Sequence, residues 1–386
     1  MKLRPSPSLP LPLSVSRCVD LQGDSGADLG AGGARRGQRV ALKLQKSAPE
    51  YTRAAQSEIE ILDRIAKAEG ARLARGGPEG AKGHCGVVRL LNHFKVVGPH
   101  GQHVAMAFEL LGETLLSLLQ RRGPLDARAV KGITRELLRA LDFIHADVNI
   151  LHTDIKPENV LVLAPGGGAD DAAAPPPDVK LVDLGTAFYV AHQQAHDIQT
   201  REYRCPEAIV GAWPYAHSAD VWSLGCLVFE LLTGETLFDP QSPQPGEAYT
   251  KDESHLAQVI ELDALVGGLG DEAEALPPPF HLAQVIELLG ALPSPLVARG
   301  RRAAQGGWFG PEGPAPGDGP QLRRIQPPES HDGALEAVLV ENFGLDADEG
   351  AGAAAFLKRL LMVEPSDRLT AREALQEPWL NSTHEL

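Results

Sequence analysis

The chain has 386 residues, 43% of them hydrophobic, which is enough to bury a large core and excludes a disordered chain; one two-lobed unit or two closely joined domains are expected. Its net charge of −15 argues against general affinity for nucleic acid or anionic membranes and favours basic partners. The cysteines lack metal-ligand spacing and no apolar run is long enough to span a membrane, so we expect a reducing compartment, the cytosol or the nucleus.

The first predicted elements are a strand, a loop and a second strand. Residues 1–13 are expected to form an irregular, proline-broken tail, which makes a poor signal peptide. Residues 14–21 alternate weakly, as in a strand, and residues 23–37 form a loop rich in glycine and alanine. Val40-Ala-Leu-Lys43 then has the form of a strand that carries a lysine. Such a lysine is either solvated or reaches the phosphates of a bound nucleotide.

A helix predicted over residues 51–66 favours the second role for Lys43. Its spacing puts Glu58 on the same face as the apolar Ile61 and Ile65. A carboxylate on that face could pair with Lys43 and hold its ammonium group near a nucleotide.

The chain then passes from strands to helices. Residues 67–86 are predicted to form a connector, and Val87–Phe94 and His103–Leu110 have the composition of strands. From Gly112 onward the pattern becomes mainly helical, including residues 125–145.

The stretch His152–Leu161 carries the clearest chemistry, together with Asp183 after a mostly apolar, strand-like run. Asp154 could accept and orient a substrate hydroxyl, and Lys156 could contact a transferred phosphate. Asn159 and Asp183 could hold magnesium through hard oxygen ligands. Each of these residues alone could also cap or turn a polar loop. The whole set, H-x-D-x-K-x-x-N followed by D-x-G, is the signature of eukaryotic protein kinases.

Three further segments surround this signature. Residues 163–178 are low in complexity and rich in proline, so they are predicted to be a surface insert between two strands. Residues 198–207 occupy the place of the kinase segment that closes on a peptide substrate. Residues 218–225 are predicted to open a buried helix.

Over roughly residues 14–381 the chain resembles the SR-protein-specific kinases, which phosphorylate serines in arginine/serine-rich splicing factors. Thr153 and Leu184 are both typical of this family at these positions. The related LAMMER kinases share the His-Thr-Asp run but carry phenylalanine at the position of Leu184, so they rank second. The other matching runs are Val40–Lys43, Lys46–Ala48, Tyr51–Thr52, Phe108–Gly112, His152–Asn159, Asp183–Gly185, Asp197–Arg201, Tyr203–Arg204 and Tyr249–Glu253.

The resemblance implies an α+β, bilobal protein-kinase fold with a small sheet lobe and a larger helical lobe. The small lobe would take residues 14–111 and the large lobe residues 112–381, followed by a short tail over residues 382–386. ATP and Mg²⁺ would bind between the lobes. The family's first strand and glycine-rich phosphate loop have no counterpart here, because residues 14–22 resemble the family's second strand.

The resemblance also assigns the nucleotide and catalytic residues. Asp154 is expected to be the base, Lys156 and Asn159 to complete the catalytic set, and Asn159 with Asp183 to bind the metal. The residues expected at the ATP site are Ala41, Lys43, Glu58, Phe108, Glu109, Leu111, Leu161 and Asp183.

Substrate contacts are implied in two places. Thr200, Arg201 and Arg204 belong to the substrate-binding segment, in which Thr200 is expected to hydrogen-bond near Asp154 and Lys156. An acidic groove that docks arginine-rich peptides would include Glu235, Asp252, Glu253 and Glu261. The same residues could instead form a solvated acidic face, and Ser254 replaces an aspartate that the family tends to have. The structural pairs implied are Glu207 with Arg368, and Asp220 with the catalytic-loop backbone.

Position 153 is threonine, so the arginine that receives an activation-segment phosphate in many kinases is missing. The segment must therefore be ordered by other contacts, and we expect activity without phosphorylation of Thr200 or Tyr203.

The sequence His255–Leu262 recurs as His281–Leu288, so two segments compete for one helix position, and the filler between them either loops out or is a spurious translated segment. Two other functions fit the sequence: a LAMMER-type dual-specificity kinase, and a pseudokinase scaffold that binds arginine-rich proteins. The expected partners are Arg/Ser-rich proteins, without direct nucleic-acid or membrane binding, for a monomer of the cytoplasm and nucleus.

Overall fold

The architecture was determined from a computed structural model. It describes residues 17–20, 39–75, 84–99, 101–163, 176–193, 197–240, 250–252, 254–256, 258, 294–312, 320–322 and 335–382.

The small lobe is built on an antiparallel sheet with the strand order β1-β2-β4-β3. Its strands are β1 Arg17–Asp20, β2 Arg39–Leu44, β3 Leu90–Gly98 and β4 Gly101–Glu109. The register pairs Ala41 with Phe108 and Lys43 with Met106. Because side chains alternate along a strand, this register sets which face of the sheet carries Lys43. The glycines of residues 23–37 lie outside the described residues.

Helix α1, Pro49–Ala74, packs on this sheet. A proline opens it, and its buried face includes Glu58, Ile61 and Ile65. The prediction that a connector begins at residue 67 was wrong, because the helix continues to Ala74. Residues 67–74 are mostly strong helix formers, and Arg72 ties this end to the large lobe through a 3.0 Å ion pair with Asp147.

The large lobe is mainly helical, with helix α5, Ser218–Thr233, at its centre. Every residue of α5 after the first is buried, including Trp222 and Phe229, so this helix forms the core on which the others pack. The α-helices of the large lobe, within the described residues, are α2 Leu115–Arg122, α3 Ala127–Phe143, α4 Pro206–Val210, α5 Ser218–Thr233, α6 Ser294–Arg299, α7 Arg301–Gly306, α8 Leu335–Ala337, α9 Ala347–Leu360, α10 Ala371–Ala374 and α11 Pro378–Asn381.

Short strands hold the central loops at the junction of the lobes. Strand β5 Ile150–Leu151 pairs with β8 Phe188–Tyr189, and β6 Val160–Val162 pairs with β7 Val179–Leu181. The predicted insert does separate two strands, β6 and β7, although residues 164–175 of it lie outside the described part of the chain. The β5–β8 and β6–β7 pairings bring residues 152–159 next to Asp183. The last strands, β9 Phe309–Glu312 and β10 Pro320–Leu322, pair with each other.

Candidate active site

Lys43 lies at the centre of a three-residue ion cluster between the lobes. Its Nζ donates to Glu58 Oε1 at 2.7 Å and Oε2 at 2.9 Å, and to Asp183 Oδ1 at 2.8 Å. Lys43 and Glu58 are buried, with 7% and 2% of their surface exposed. Burial alone would lower the pKa of Lys43, but Glu58 and Asp183 outweigh burial and raise it. The ammonium is therefore kept charged.

Asp183 is held in a conformation that has a free-energy cost. Its φ is +60°, in the left-handed region that non-glycine residues seldom adopt. Burial opposes its ionisation, but Lys43 and the backbone N–H of Gly185 hold its pKa below the ordinary value. A Cβ at residue 185 would lie 3.1 Å from Asp183 Oδ1 and 3.5 Å from Glu58 Oε2, so glycine there permits the close approach.

Asp154, Lys156, Asn159 and Thr200 form a second cluster. The Thr200 hydroxyl donates to Asp154 Oδ1 at 2.6 Å and accepts from Lys156 Nζ at 2.8 Å. Asn159 Nδ2 donates to Asp154 Oδ2 and to its backbone carbonyl, both at 2.8 Å. Lys156 Nζ also lies 3.0 Å from Asp154 Oδ2. The contact of Thr200 with Asp154 and Lys156 expected from the sequence is thus present.

Asp220, at the start of α5, holds the backbone of the loop that carries Asp154 and Asn159. It is fully buried and accepts from the backbone N–H groups of His152 at 2.8 Å and Thr153 at 2.9 Å. His145 Nε2 donates to the same carboxylate at 2.9 Å. Burial alone would raise the pKa of Asp220, but these hydrogen bonds outweigh it and keep the pKa low. The carboxylate therefore stays ionised and holds Thr153 at a φ of +68°.

The strand end at the lobe junction carries the expected adenine-site residues. Phe108 is buried on β4, with Ala41 opposite it on β2. Leu111 is half-buried beyond the strand end, and Leu161 is half-buried on β6. The Glu109 side chain is occupied elsewhere, because Lys180 Nζ and the Arg89 N–H both donate to its Oε1 at 2.7 Å.

A cavity of about 680 Å³ opens beside the second cluster. Asp154, Thr153 and Thr200 line it together with the chain from Gly185 to Tyr189 and the side of α1 at Ser57. The carboxylate of Asp154 therefore borders a space large enough for part of a peptide.

Residues 197–204 run along this cavity and are tied down by ion pairs. Arg201 donates to Asp252, and Arg204 lies 3.0 Å from Asp197. Asp252, expected in the docking groove, is therefore already paired within the chain. Of the other expected docking residues, Glu235 is exposed, whereas Glu253 and Glu261 lie outside the described residues.

The predicted structural pair Glu207–Arg368 is present and buried. Arg368 Nη1 and Nη2 donate to the two carboxylate oxygens of Glu207 at 2.9 and 3.1 Å. The guanidinium also donates to the Ser218 carbonyl at 2.7 Å and lies 5.0 Å from the Trp222 ring centre. This fork joins the end of the substrate segment to α5.

Sequence reasoning missed a buried acid near the substrate segment. Glu230 on α5 accepts from the Tyr203 hydroxyl at 2.6 Å. Burial raises its pKa to about 7, against the opposing Tyr203 hydrogen bond, and the nearby Glu158 and Glu202 add to the rise. A signal was available, since Glu230 interrupts the apolar run from Leu224 to Leu232.

The oxygen donors present suit a hard divalent cation. The amide nitrogen of Asn159 is used by Asp154, which leaves its Oδ1 for a metal, and about half of the Asp183 side chain is exposed. Among the described residues, no group of three or more His, Cys, Asp or Glu is arranged to hold a metal ion. Two protein oxygens completed by water and phosphate are typical of magnesium.

No helix in the described part of the chain is long and apolar enough to cross a membrane.

Comparison with known proteins matches residues 79–380 to the protein kinase domain. The chain is 32% identical over 391 residues to the serine/threonine-protein kinase SRPK of Physarum polycephalum, covering 89% of this chain and 80% of that protein. It is 25% identical over 511 residues to mouse SRSF protein kinase 3, covering 89% and 82%. Mouse dual specificity tyrosine-phosphorylation-regulated kinase 3 is 30% identical over 368 residues, covering 90% of this chain but 50% of that protein.

Proposed function

The chain belongs to the protein kinase family and, within it, to the SRPK serine/threonine kinases, and we propose that it phosphorylates serines of arginine/serine-rich splicing factors. Kinases of this fold use ATP and a divalent metal; we propose Mg²⁺ as the metal here. Such a substrate implies a role in regulating mRNA splicing and work in both cytoplasm and nucleus.

The catalytic cluster is suited to activating a hydroxyl. Asp154 accepts and orients the serine hydroxyl while Thr200 and Asn159 hold its carboxylate in place. Lys156 neutralises charge on the transferred group, and the Thr200 hydroxyl bridges Lys156 to the Asp154 carboxylate, which Lys156 also contacts directly at 3.0 Å. Magnesium bound by Asn159 and Asp183 supplies charge neutralisation at the phosphates.

The ATP site is proposed on the strand ends of the two lobes. Lys43, fixed by Glu58, contacts the phosphates. The adenine would lie between Ala41 and Leu161, with Phe108 at the back of its pocket, and would hydrogen-bond to the backbone between Glu109 and Leu111. Because the Glu109 side chain is bound to Lys180, only its backbone is offered to a nucleotide.

Acidic side chains around Tyr203 of the substrate segment support a substrate rich in arginine. Glu158, Glu202 and Glu230 are close enough together for the first two to raise the pKa of the third. An arginine guanidinium would relieve this repulsion and satisfy the carboxylates with paired hydrogen bonds. Glu235, Glu253 and Glu261 remain proposed docking residues, and Thr200, Arg201 and Arg204 a proposed substrate segment.

One observation carries the proposal: the Lys43–Glu58–Asp183 and Thr200–Asp154–Lys156 clusters are both formed by the chain's own side chains. A kinase assembled in this way is expected to be active as synthesised.

The test is transfer of labelled phosphate from Mg-ATP to an Arg/Ser-repeat peptide, with Lys/Ser and Arg/Tyr peptides for comparison. Asp154→Ala should abolish transfer. Asp142→Asn, which removes only a surface ion pair with Arg372, should not. Transfer to the Arg/Ser peptide alone supports the proposal. Equal transfer to the tyrosine peptide would favour dual specificity, and peptide binding without transfer would favour a scaffold.

A further inference from the structure

Two aspartates and three arginines form a chain of ion pairs around the substrate segment. Arg201 Nη1 donates to Asp252 Oδ1, and Arg302, from α7, approaches Asp252 Oδ2 at 3.5 Å. Arg302 also lies 3.4 Å from Asp197 Oδ1, which Arg204 approaches at 3.0 Å. We define these five residues as the arginine–aspartate network. It joins the substrate segment to α7 and to residues 250–252.

The network lies one residue away from the catalytic cluster. Arg201 begins the short 3₁₀ turn Arg201–Tyr203, and Thr200 is the residue directly before it. Because adjacent Cα atoms are about 3.8 Å apart, a shift of Arg201 must move Thr200. The Thr200 hydroxyl in turn spans Asp154 and Lys156 at 2.6 and 2.8 Å. A continuous path therefore runs from Asp252 through Arg201 and Thr200 to Asp154.

The burial and contacts of Asp252 suit it to fix the position of Arg201. Its side chain is 18% exposed and that of Arg201 is 30% exposed, so the pair is only partly screened by water. Both oxygens of Asp252 face a guanidinium, so the carboxylate fixes two segments at once.

We propose that Asp252 is a positioning residue for phosphoryl transfer, which acts through Arg201 to hold Thr200 against Asp154. The role differs from docking, in which Asp252 would bind an arginine of the substrate and contribute nothing until the peptide arrives. The proposal rests on phosphoryl transfer by this site but not on the identity of the acceptor.

The first test separates positioning from docking by using water as the acceptor. Intrinsic hydrolysis of Mg-ATP without peptide is measured for the full chain, Asp252→Asn and Asp142→Asn, together with transfer to an Arg/Ser peptide. Positioning predicts that Asp252→Asn lowers kcat of both reactions about tenfold or more, with KM for ATP within about twofold, because Lys43, Glu58 and Asp183 are untouched. Unchanged hydrolysis with a raised KM for the peptide would overturn the proposal in favour of docking.

The second test asks whether Asp252 acts through Thr200. In a double-mutant cycle, Thr200→Val should lower kcat strongly in the wild-type chain but little in the Asp252→Asn background. Independent, multiplying effects would overturn the proposal. Arg201→Lys keeps the charge but loses the Nη1 donor to Asp252, so it should also lower kcat, and it replaces Asp252→Asn if that variant proves unstable. A wild-type kcat in a folded Arg201→Lys variant would count against the path. A wild-type chain with neither hydrolysis nor transfer would instead count against the proposed function.

Discussion

The hydroxyl of Thr200 donates a 2.6 Å hydrogen bond to Oδ1 of Asp154, although the two residues are 46 positions apart. This bond joins the segment over the substrate to the residue that would orient the acceptor. The same hydroxyl accepts from Lys156, so Thr200 fixes the distance between the base and its neighbouring cation.

Thr200→Val should lower kcat by about 10- to 100-fold with little change in KM for ATP, because the base loses its orientation while the nucleotide site stays intact. Thr200→Ser keeps the hydroxyl and should retain most activity. Steady-state transfer to an Arg/Ser peptide measures both. A loss in the serine variant without a loss in the valine variant would show that the methyl group matters and the hydrogen bond does not.

Glu58→Gln should lower kcat/KM for ATP by about tenfold or more, which corresponds to ~1.4 kcal/mol of transition-state stabilisation. The amide keeps the shape of Glu58 but not its charge, so Lys43 would be drawn toward Asp183 alone. Asp63→Asn, an exposed carboxylate on the same helix, is the control. ATP titration and initial rates would check this, and identical kinetics in the two variants would contradict it.

Arg368→Met should destabilise the chain by about 3–5 kcal/mol, because Glu207 would be left buried and unpaired. Replacing both partners by apolar residues should cost less than replacing one. Urea unfolding followed by circular dichroism measures the difference. A single variant as stable as the double variant would show that the isolated carboxylate finds another partner or becomes protonated at little cost.

Glu230→Gln should change how stability depends on pH. The pKa of Glu230 is about 7 in the folded chain, against an ordinary value of 4.5, so between these values the folded state keeps a proton that the unfolded state has released. The contribution of Glu230 is therefore most favourable below pH 4.5 and is lost as pH rises toward 7. Glutamine cannot ionise, so the variant should gain stability relative to the wild-type chain between pH 5 and 8, by at most ~3 kcal/mol.

Unfolding at several pH values would measure this difference. The expected curves are close together near pH 5 and separate as pH rises. Parallel curves over the whole range would mean that Glu230 does not titrate there.

The local chemistry of the site could be predicted from short spacings. Asp154, Lys156 and Asn159 lie within six residues, so the sequence alone places these three side chains close together. The Lys43–Glu58 pair also follows from local patterns, since a strand lysine and a carboxylate on the buried face of the next helix have few other partners. The α+β, bilobal fold predicted from these motifs is confirmed by the protein kinase domain match.

The distant partners could not be predicted in this way. Asp252 fits both a solvent-facing docking acid and a buried ion-pair partner, and nothing in its neighbourhood of the sequence distinguishes the two. The residue that decides, Arg201, is 51 positions away. The end of α1 was misjudged for a related reason, because the contact that supports residues 67–74 comes from Asp147 in the other lobe.

The sequence by itself therefore determined the family, the fold class and the identity of the reacting groups, because these depend on residue types at short, fixed spacings. Only the tertiary structure decided that Asp252 pairs with Arg201 and that Glu230 is buried against Tyr203. A charged side chain has the same local pattern whether water or another side chain solvates it. Packing of distant segments settles which occurs, because it determines what remains within hydrogen-bonding distance once water is excluded.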